Sequence, residues 1–170
     1  MQKRTGVVKF GDTPVTLLGK EIKVGDIAPD FTVTTTDLAS ASLADYKGLI
    51  RIISVVPSID TSVCDMQTRW FNQDASQVDG VVILTISVDL PFALKRYCGA
   101  NEITNVKTLS DHKDLDFGLK YGFVMEELRL LARGVIVIDR QDIVRYVQYV
   151  PQIKDQPDYE KALAAVKECL

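Results

Sequence analysis

The sequence predicts an α/β fold: a central mixed β-sheet, helices on its faces and a β-hairpin added at the N-terminus. Three observations carry this expectation. Residues 49–56 and 81–88 are apolar almost throughout, as strands covered on both faces should be. Helical stretches lie between them and after the second, the alternation of a parallel crossover. Two late strands around Arg140-Gln141-Asp142, followed by a closing helix, add an antiparallel edge.

The elements follow in order. Residues 7–10 and 15–18 flank Gly11-Asp12-Thr13-Pro14 and form the hairpin, about 7–18. Residues 31–36 are a β-branched strand, 49–56 a stronger one, and 63–78 a helix. The strand at 81–88 leads to a short helix at 92–98, with Pro91 at its start and Gly99 just past its end. A weaker strand at 106–109 and a helix at 115–121 come next. Strands at 134–138 and 143–149 and a helix at 159–169 close the chain. A late antiparallel pair with a terminal helix fits a thioredoxin-like arrangement. No repeat or linker interrupts the 170 residues, so a single domain over 1–170 is expected.

Composition narrows the function classes. The chain is 46% apolar and 25% charged, with a formal net charge of −3, so no global basic field attracts nucleic acid or an anionic membrane. No apolar run approaches the ~20 residues of a membrane helix. The basic start Met1-Gln2-Lys3-Arg4-Thr5-Gly6 precedes an apolar stretch too short for a signal-peptide core, so a cytoplasmic protein is expected. The three cysteines, Cys64, Cys98 and Cys169, are too few and odd in number for a secreted disulfide framework. With the single histidine, His112, they lack the spacing of a zinc site, so no metal is expected.

The segment richest in chemistry is Pro57-Ser58-Ile59-Asp60-Thr61-Ser62-Val63-Cys64. Pro57 ends a buried strand, and Thr61 or Ser62 can cap the helix that follows. Cys64 then falls in the first helical turn, where unpaired N–H groups and the helix dipole favour a thiolate. Burial as a plain core residue is the competing reading. Helical phase places Val63, Met66, Trp70 and Phe71 on the apolar stripe and Cys64 towards its edge. Bringing a free cysteine from a pKa of ~8.5 to ~6 needs ~3.4 kcal/mol, and a helix terminus offers only ~0.3–1 kcal/mol. A cation and a hydroxyl donor are therefore needed as well. Thr61 can supply the hydroxyl and Arg69, about one turn after Cys64, is a possible cation; Arg133 is the cation that the resemblance given next implies. Each also has a plain reading: Thr61 as a cap, Pro57 as a strand breaker, Arg133 and Arg69 as solvated charges.

Pro57-x-x-x-Thr61-x-x-Cys64 resembles the active-site motif of the peroxiredoxins. Asp60-Thr61-Ser62-Val63-Cys64, Arg96-Tyr97-Cys98-Gly99 and Leu131-Ala132-Arg133-Gly134-Val135 are similar to the bacterial thiol peroxidase branch, of the atypical two-cysteine type. The resemblance runs across essentially the whole chain. It implies reduction of hydrogen peroxide or organic hydroperoxides by Cys64, with Pro57, Thr61 and Arg133 forming the substrate pocket. It also implies a resolving disulfide within the chain between Cys64 and Cys98, a thioredoxin-type reductant, no cofactor and a homodimer.

For Cys98, i, i+3 and i+4 spacing puts Leu94, Tyr97 and Cys98 on one helix face, which predicts a largely buried thiol. A disulfide needs Cα atoms within ~7 Å, so two helix-borne cysteines are expected to meet through local unfolding. Cys169, one residue from the end, stands as a rival resolving thiol acting across a dimer or as a spare thiol. His112, beside Asp111, reads as a loop or cap residue. A redox sensor using the same two cysteines, or a cysteine hydrolase using Cys64 and His112, are the alternative functions.

Overall fold

The computed structural model describes residues 1–75 and 77–170. Among these, the strands form two sheets. The larger is built from β3 (Thr32–Thr35), β4 (Ser40–Ser42), β5 (Ile50–Val55), β6 (Val81–Ser87), β7 (Lys107–Ser110), β10 (Gly134–Ile138) and β11 (Val144–Tyr149). Its order is β11-β10-β5-β6-β7-β3-β4. β5, β6 and β7 run parallel, while β10 is antiparallel to both β5 and β11. The smaller sheet, β1-β2-β8-β9, joins the N-terminal hairpin β1 (Lys3–Phe10) and β2 (Thr13–Leu18) to β8 (Val124–Met125) and β9 (Leu130–Leu131). The helices are α1 (Ser62–Trp70), α2 (Pro91–Asn101), α3 (Asp116–Tyr121) and α4 (Tyr159–Cys169). This is the mixed-sheet, thioredoxin-like α/β architecture expected.

The central strands are buried on both faces because alternate side chains enter different cores. Ile53, Val55, Leu84, Ile86, Ile136 and Ile138 pack with Phe31, Phe117, Phe123 and the hairpin residues Val15 and Leu17. Ile50, Ile52, Ile83, Val135 and Val137 pack on the other side with Phe71, Ala162 and Val166.

Four expectations need correction. The hairpin turn is shorter than Gly11-Asp12-Thr13-Pro14, because Phe10 already pairs with Thr13 and Gly11 supplies the positive φ of +64°. The helix expected at 63–78 is α-helical only over Ser62–Trp70 and widens into a π turn at Phe71–Ala75; Ser76, which that expectation includes, lies outside the described residues. Its buried face matches the predicted stripe at Phe71 but not at Met66, which is 57% exposed, and Val63 and Trp70 are only partly buried, whereas Cys64, Gln67 and Thr68 are buried. Two polar residues displace an apolar one there because each finds partners inside, Thr68 bonding the Cys64 carbonyl at 2.9 Å and Gln67 the Ser54 hydroxyl at 2.8 Å. Finally, α2 runs through Gly99 to Asn101 and ends at Glu102, which adopts the left-handed conformation expected of the glycine. Asn101 extends the helix by bonding the Tyr97 carbonyl at 3.0 Å.

The short strands β4, β8 and β9 and a 3-10 turn at Leu43–Tyr46 were not expected. The remaining predicted strands and helices appear in place: those at 134–138 and 159–169 match, the first hairpin strand starts four residues earlier than expected, at Lys3, and the other ends shift by one or two residues.

Candidate active site

The site forms where β5 ends. Val55 is the last strand residue, and a loop of residues 57–61 carries the chain to α1. Asp89, just beyond β6, pins this loop: one carboxylate oxygen accepts from the Ser58 hydroxyl at 2.7 Å and the other from the Ile59 N–H at 2.8 Å. The parallel pairing of Val55 with Ile86 brings the ends of β5 and β6 level. Pro57 is buried in the loop. Thr61 is the N-cap of α1, with its hydroxyl accepting the Cys64 N–H at 3.3 Å and donating to the Ser58 carbonyl at 3.4 Å.

Cys64 therefore lies in the first turn of α1, as its spacing predicts, but its thiol is fully buried, at 0% exposure. It packs among Val56, Ile59 and Leu94.

Arg133, itself 2% exposed, reaches the sulfur from just before β10. Its Nη2 donates to Cys64 Sγ at 3.2 Å, Nη1 to Gln67 Oε1 at 3.0 Å, and Nε to the Ile153 carbonyl at 2.8 Å. The plain reading of Arg133 as a solvated charge is thus overturned. Three bonds to two separate segments, α1 and the stretch at Ile153, hold one planar group, so its direction towards sulfur is set. Gln67 is the residue the sequence reasoning missed. Its amide nitrogen donates to Ser54 at 2.8 Å, leaving its oxygen to receive Arg133. The signal was available: Gln67 lies three residues after Cys64, hence on the same helix face.

Two features of distant chain place Arg133. Gly134 follows it at the start of β10 and pairs with Val55; a Cβ at Gly134 would sit 2.3 Å from the Gln148 carbonyl, so only glycine permits this approach. The N-terminal hairpin fixes Ile153, with Lys9 donating to the Pro151 carbonyl at 2.7 Å and Ile153 donating back to the Lys9 carbonyl at 2.9 Å. A cavity of about 310 Å³ opens beside the guanidinium, walled by Pro57, Thr61, Val63, Arg133, Ile153 and Phe10.

Arg69 is not part of this group. It pairs with Asp65 at 3.0 Å and reaches Asn101 on α2. His112 is exposed, and its ring bonds the Ser110 hydroxyl at 2.9 Å rather than Cys64, the partner a hydrolase would need.

Cys98 sits in α2 in a different setting. It is half-buried rather than largely buried, packs against the Ile83, Ile103 and Val106 side of the sheet, and shares a 3.3 Å hydrogen bond with Thr108. Burial pushes its thiol up, with Thr108 opposing. Cys64, Cys98 and Cys169 are all free thiols. Cys169 donates to the Ala165 carbonyl at 3.2 Å, and burial raises its thiol too.

Comparison with known proteins agrees with this geometry. The Redoxin family model matches residues 23–163. The chain is 59% identical over 157 residues to a thiol peroxidase of Oceanobacillus iheyensis, covering 92% of this chain and 96% of that one. It is 58% identical over 163 residues to a thiol peroxidase of Halalkalibacterium halodurans, covering 96% and 98%. The crystal structure of a peroxiredoxin-like protein from Aquifex aeolicus superposes with a TM-score of 0.91 at 40% identity, over 100% of both chains. A thiol at a capped helix start, turned towards a buried guanidinium on this sheet, agrees with these likenesses: the chain belongs to the redoxin family, among the bacterial thiol peroxidases.

Proposed function

We propose that Cys64 is the thiol that reduces peroxide and Cys98 the thiol that resolves it. The observation that carries this reading is the Arg133 hydrogen bond to Cys64 Sγ at the N-terminus of α1. A guanidinium at this distance favours the anionic sulfur, and a charge-assisted bond of this kind contributes roughly 1.5–3 kcal/mol.

The sulfur attacks the terminal oxygen of a hydroperoxide held in the cavity beside Pro57, Thr61 and Arg133. A sulfur–oxygen bond forms and the O–O bond breaks. The departing oxygen leaves as water or an alcohol after taking up a proton, and Cys64 becomes a sulfenic acid. Arg133 can stabilise the charge that builds on that oxygen. The Thr61 hydroxyl can turn from the Ser58 carbonyl to the peroxide, since its bond there is long at 3.4 Å.

The Cys98 thiol then condenses with the sulfenic acid, giving a Cys64–Cys98 disulfide and water. A thioredoxin-type dithiol takes its place as reductant, because an internal disulfide is a natural substrate for dithiol exchange. No metal or organic cofactor enters these steps. We place the protein in the cytoplasm as a single domain that works as a homodimer, in keeping with the resemblance.

Peroxide turnover with thioredoxin, thioredoxin reductase and NADPH tests the cycle. Wild type should turn over, while Cys64→Ser and Cys98→Ser should not. Turnover retained by Cys64→Ser would overturn the assignment.

A further inference from the structure

We propose that Asp65 and Tyr97 are positioning residues that form a latch between α1 and α2, holding the two cysteines apart and setting the rate at which they meet once Cys64 has been oxidised. This rests on the Cys64–Cys98 reading above.

The latch is placed directly at the two thiols. Asp65 follows Cys64 on α1, and Tyr97 precedes Cys98 on α2. The Tyr97 hydroxyl donates to Asp65 Oδ1. Arg69, one turn further along α1, donates from Nε to both Asp65 oxygens at 3.0 Å and from Nη2 to Asn101 Oδ1. Asn101, one turn beyond Tyr97, donates to the Tyr97 carbonyl at 3.0 Å. Two residues from each helix thus close a ring of polar contacts across the interface. The Tyr97 ring adds packing, since it touches the cluster around Cys64 and also the one that holds Cys98.

An exposed Asp–Arg pair on one helix would contribute little by itself. Here the same carboxylate also receives a phenol from the facing helix, and burial with the Asp65 contact keeps that phenol protonated as a donor. The contacts between α1 and α2 are therefore coupled, so releasing one loosens the others.

The latch has a chemical consequence. Cys64 needs an intact first turn of α1 to keep Thr61 and Arg133 in place, yet its sulfur bonds Arg133 while the Cys98 sulfur bonds Thr108. Forming the disulfide requires both sulfurs to leave these partners. While the latch holds, the sulfenic acid remains open to a second peroxide, which would convert it to sulfinic acid and water. Latch strength therefore sets the balance between resolution and over-oxidation.

Tyr97→Phe keeps the ring and removes only the hydroxyl; Asn101→Ala removes the other cross-helix contact. Trp70 on α1, the only tryptophan, reports both steps by fluorescence after rapid mixing with peroxide. The expected result is an unchanged, peroxide-dependent first phase and a peroxide-independent second phase faster by on the order of tenfold. The peroxide concentration that gives half-maximal sulfinic acid should rise by a similar factor. A second phase that is unchanged or slower in both variants, or both phases altered alike, would overturn the latch. If Tyr97→Phe does not fold, Asn101→Ala decides alone. Absence of a Cys64–Cys98 disulfide in oxidised wild type would instead sink the reading on which the latch rests.

Discussion

Cys64 and Cys98 sit at the starts and ends of neighbouring helices on one sheet, yet their surroundings differ in kind. Cys64 is wholly buried but has a guanidinium at 3.2 Å and the first turn of a helix behind it. Cys98 is more open, lies in the last turns of α2, and has only a hydroxyl, Thr108, at 3.3 Å. Exposure alone would rank Cys98 as the more reactive. Charge and helix polarity rank them the other way, because the thiolate and not the accessible thiol is the nucleophile. A helix N-terminus favours an anion, and a C-terminal turn disfavours one.

The largest effect should come from removing the favoured sulfur. Cys64→Ser should lower peroxide consumption to the background of the buffer, with circular dichroism unchanged; consumption near wild type would reverse the ranking. Arg133→Ala should slow the reaction with peroxide on the order of a hundredfold, measured by rapid mixing, since it removes the donor aimed at sulfur. An unaltered rate would make the guanidinium structural. Gln67→Ala should give a smaller loss in the same assay, because it frees one of the three contacts that orient Arg133; a loss equal to that of Arg133→Ala would assign it more than orientation.

The pH dependence separates the two thiols further. Burial pushes the Cys98 thiol up, so the fraction able to attack the sulfenic acid falls at neutral pH. The resolving step should therefore accelerate with rising pH beyond the point where an ordinary thiol levels off. Thr108 opposes the shift, so Thr108→Val should move the profile slightly further alkaline. A flat profile would contradict attack by the Cys98 thiolate. The smallest effect is expected at Cys169, which is bonded to its own helix: Cys169→Ser should turn over and form its disulfide like wild type. Loss of the disulfide, or a chain-bridging Cys64–Cys169 peptide, would favour resolution across subunits.

Much of this was legible in the sequence, and the exceptions have physical causes. β5, β6 and β10 are buried on both faces and mostly apolar, so their runs stand out without any partner in view. β8 and β9 span two residues each, β8 pairing with the hairpin strand β2 and β9 with β8; no period can be read in two residues. At the site, a proline, a capping threonine and a cysteine fall within eight positions, which local helix rules can interpret. Arg133 lies 69 positions from Cys64, and its direction depends on Gly134, Ile153 and the hairpin beneath it. Its role was suggested by resemblance, whereas its geometry is a product of long-range packing. Gln67 shares the helix face of Cys64 by spacing, but its role in holding Arg133 follows only from partners far along the chain.

The most direct measurement uses Cys98→Ser treated with one equivalent of hydrogen peroxide in the presence of dimedone, followed by peptide mass mapping. Without its resolving partner, the sulfenic acid should persist and be trapped as one dimedone adduct per chain, on the peptide containing Cys64. An adduct on the Cys169 peptide, or peroxide consumed with Cys64 unmodified, would contradict the assignment of Cys64 as the peroxide-reducing thiol.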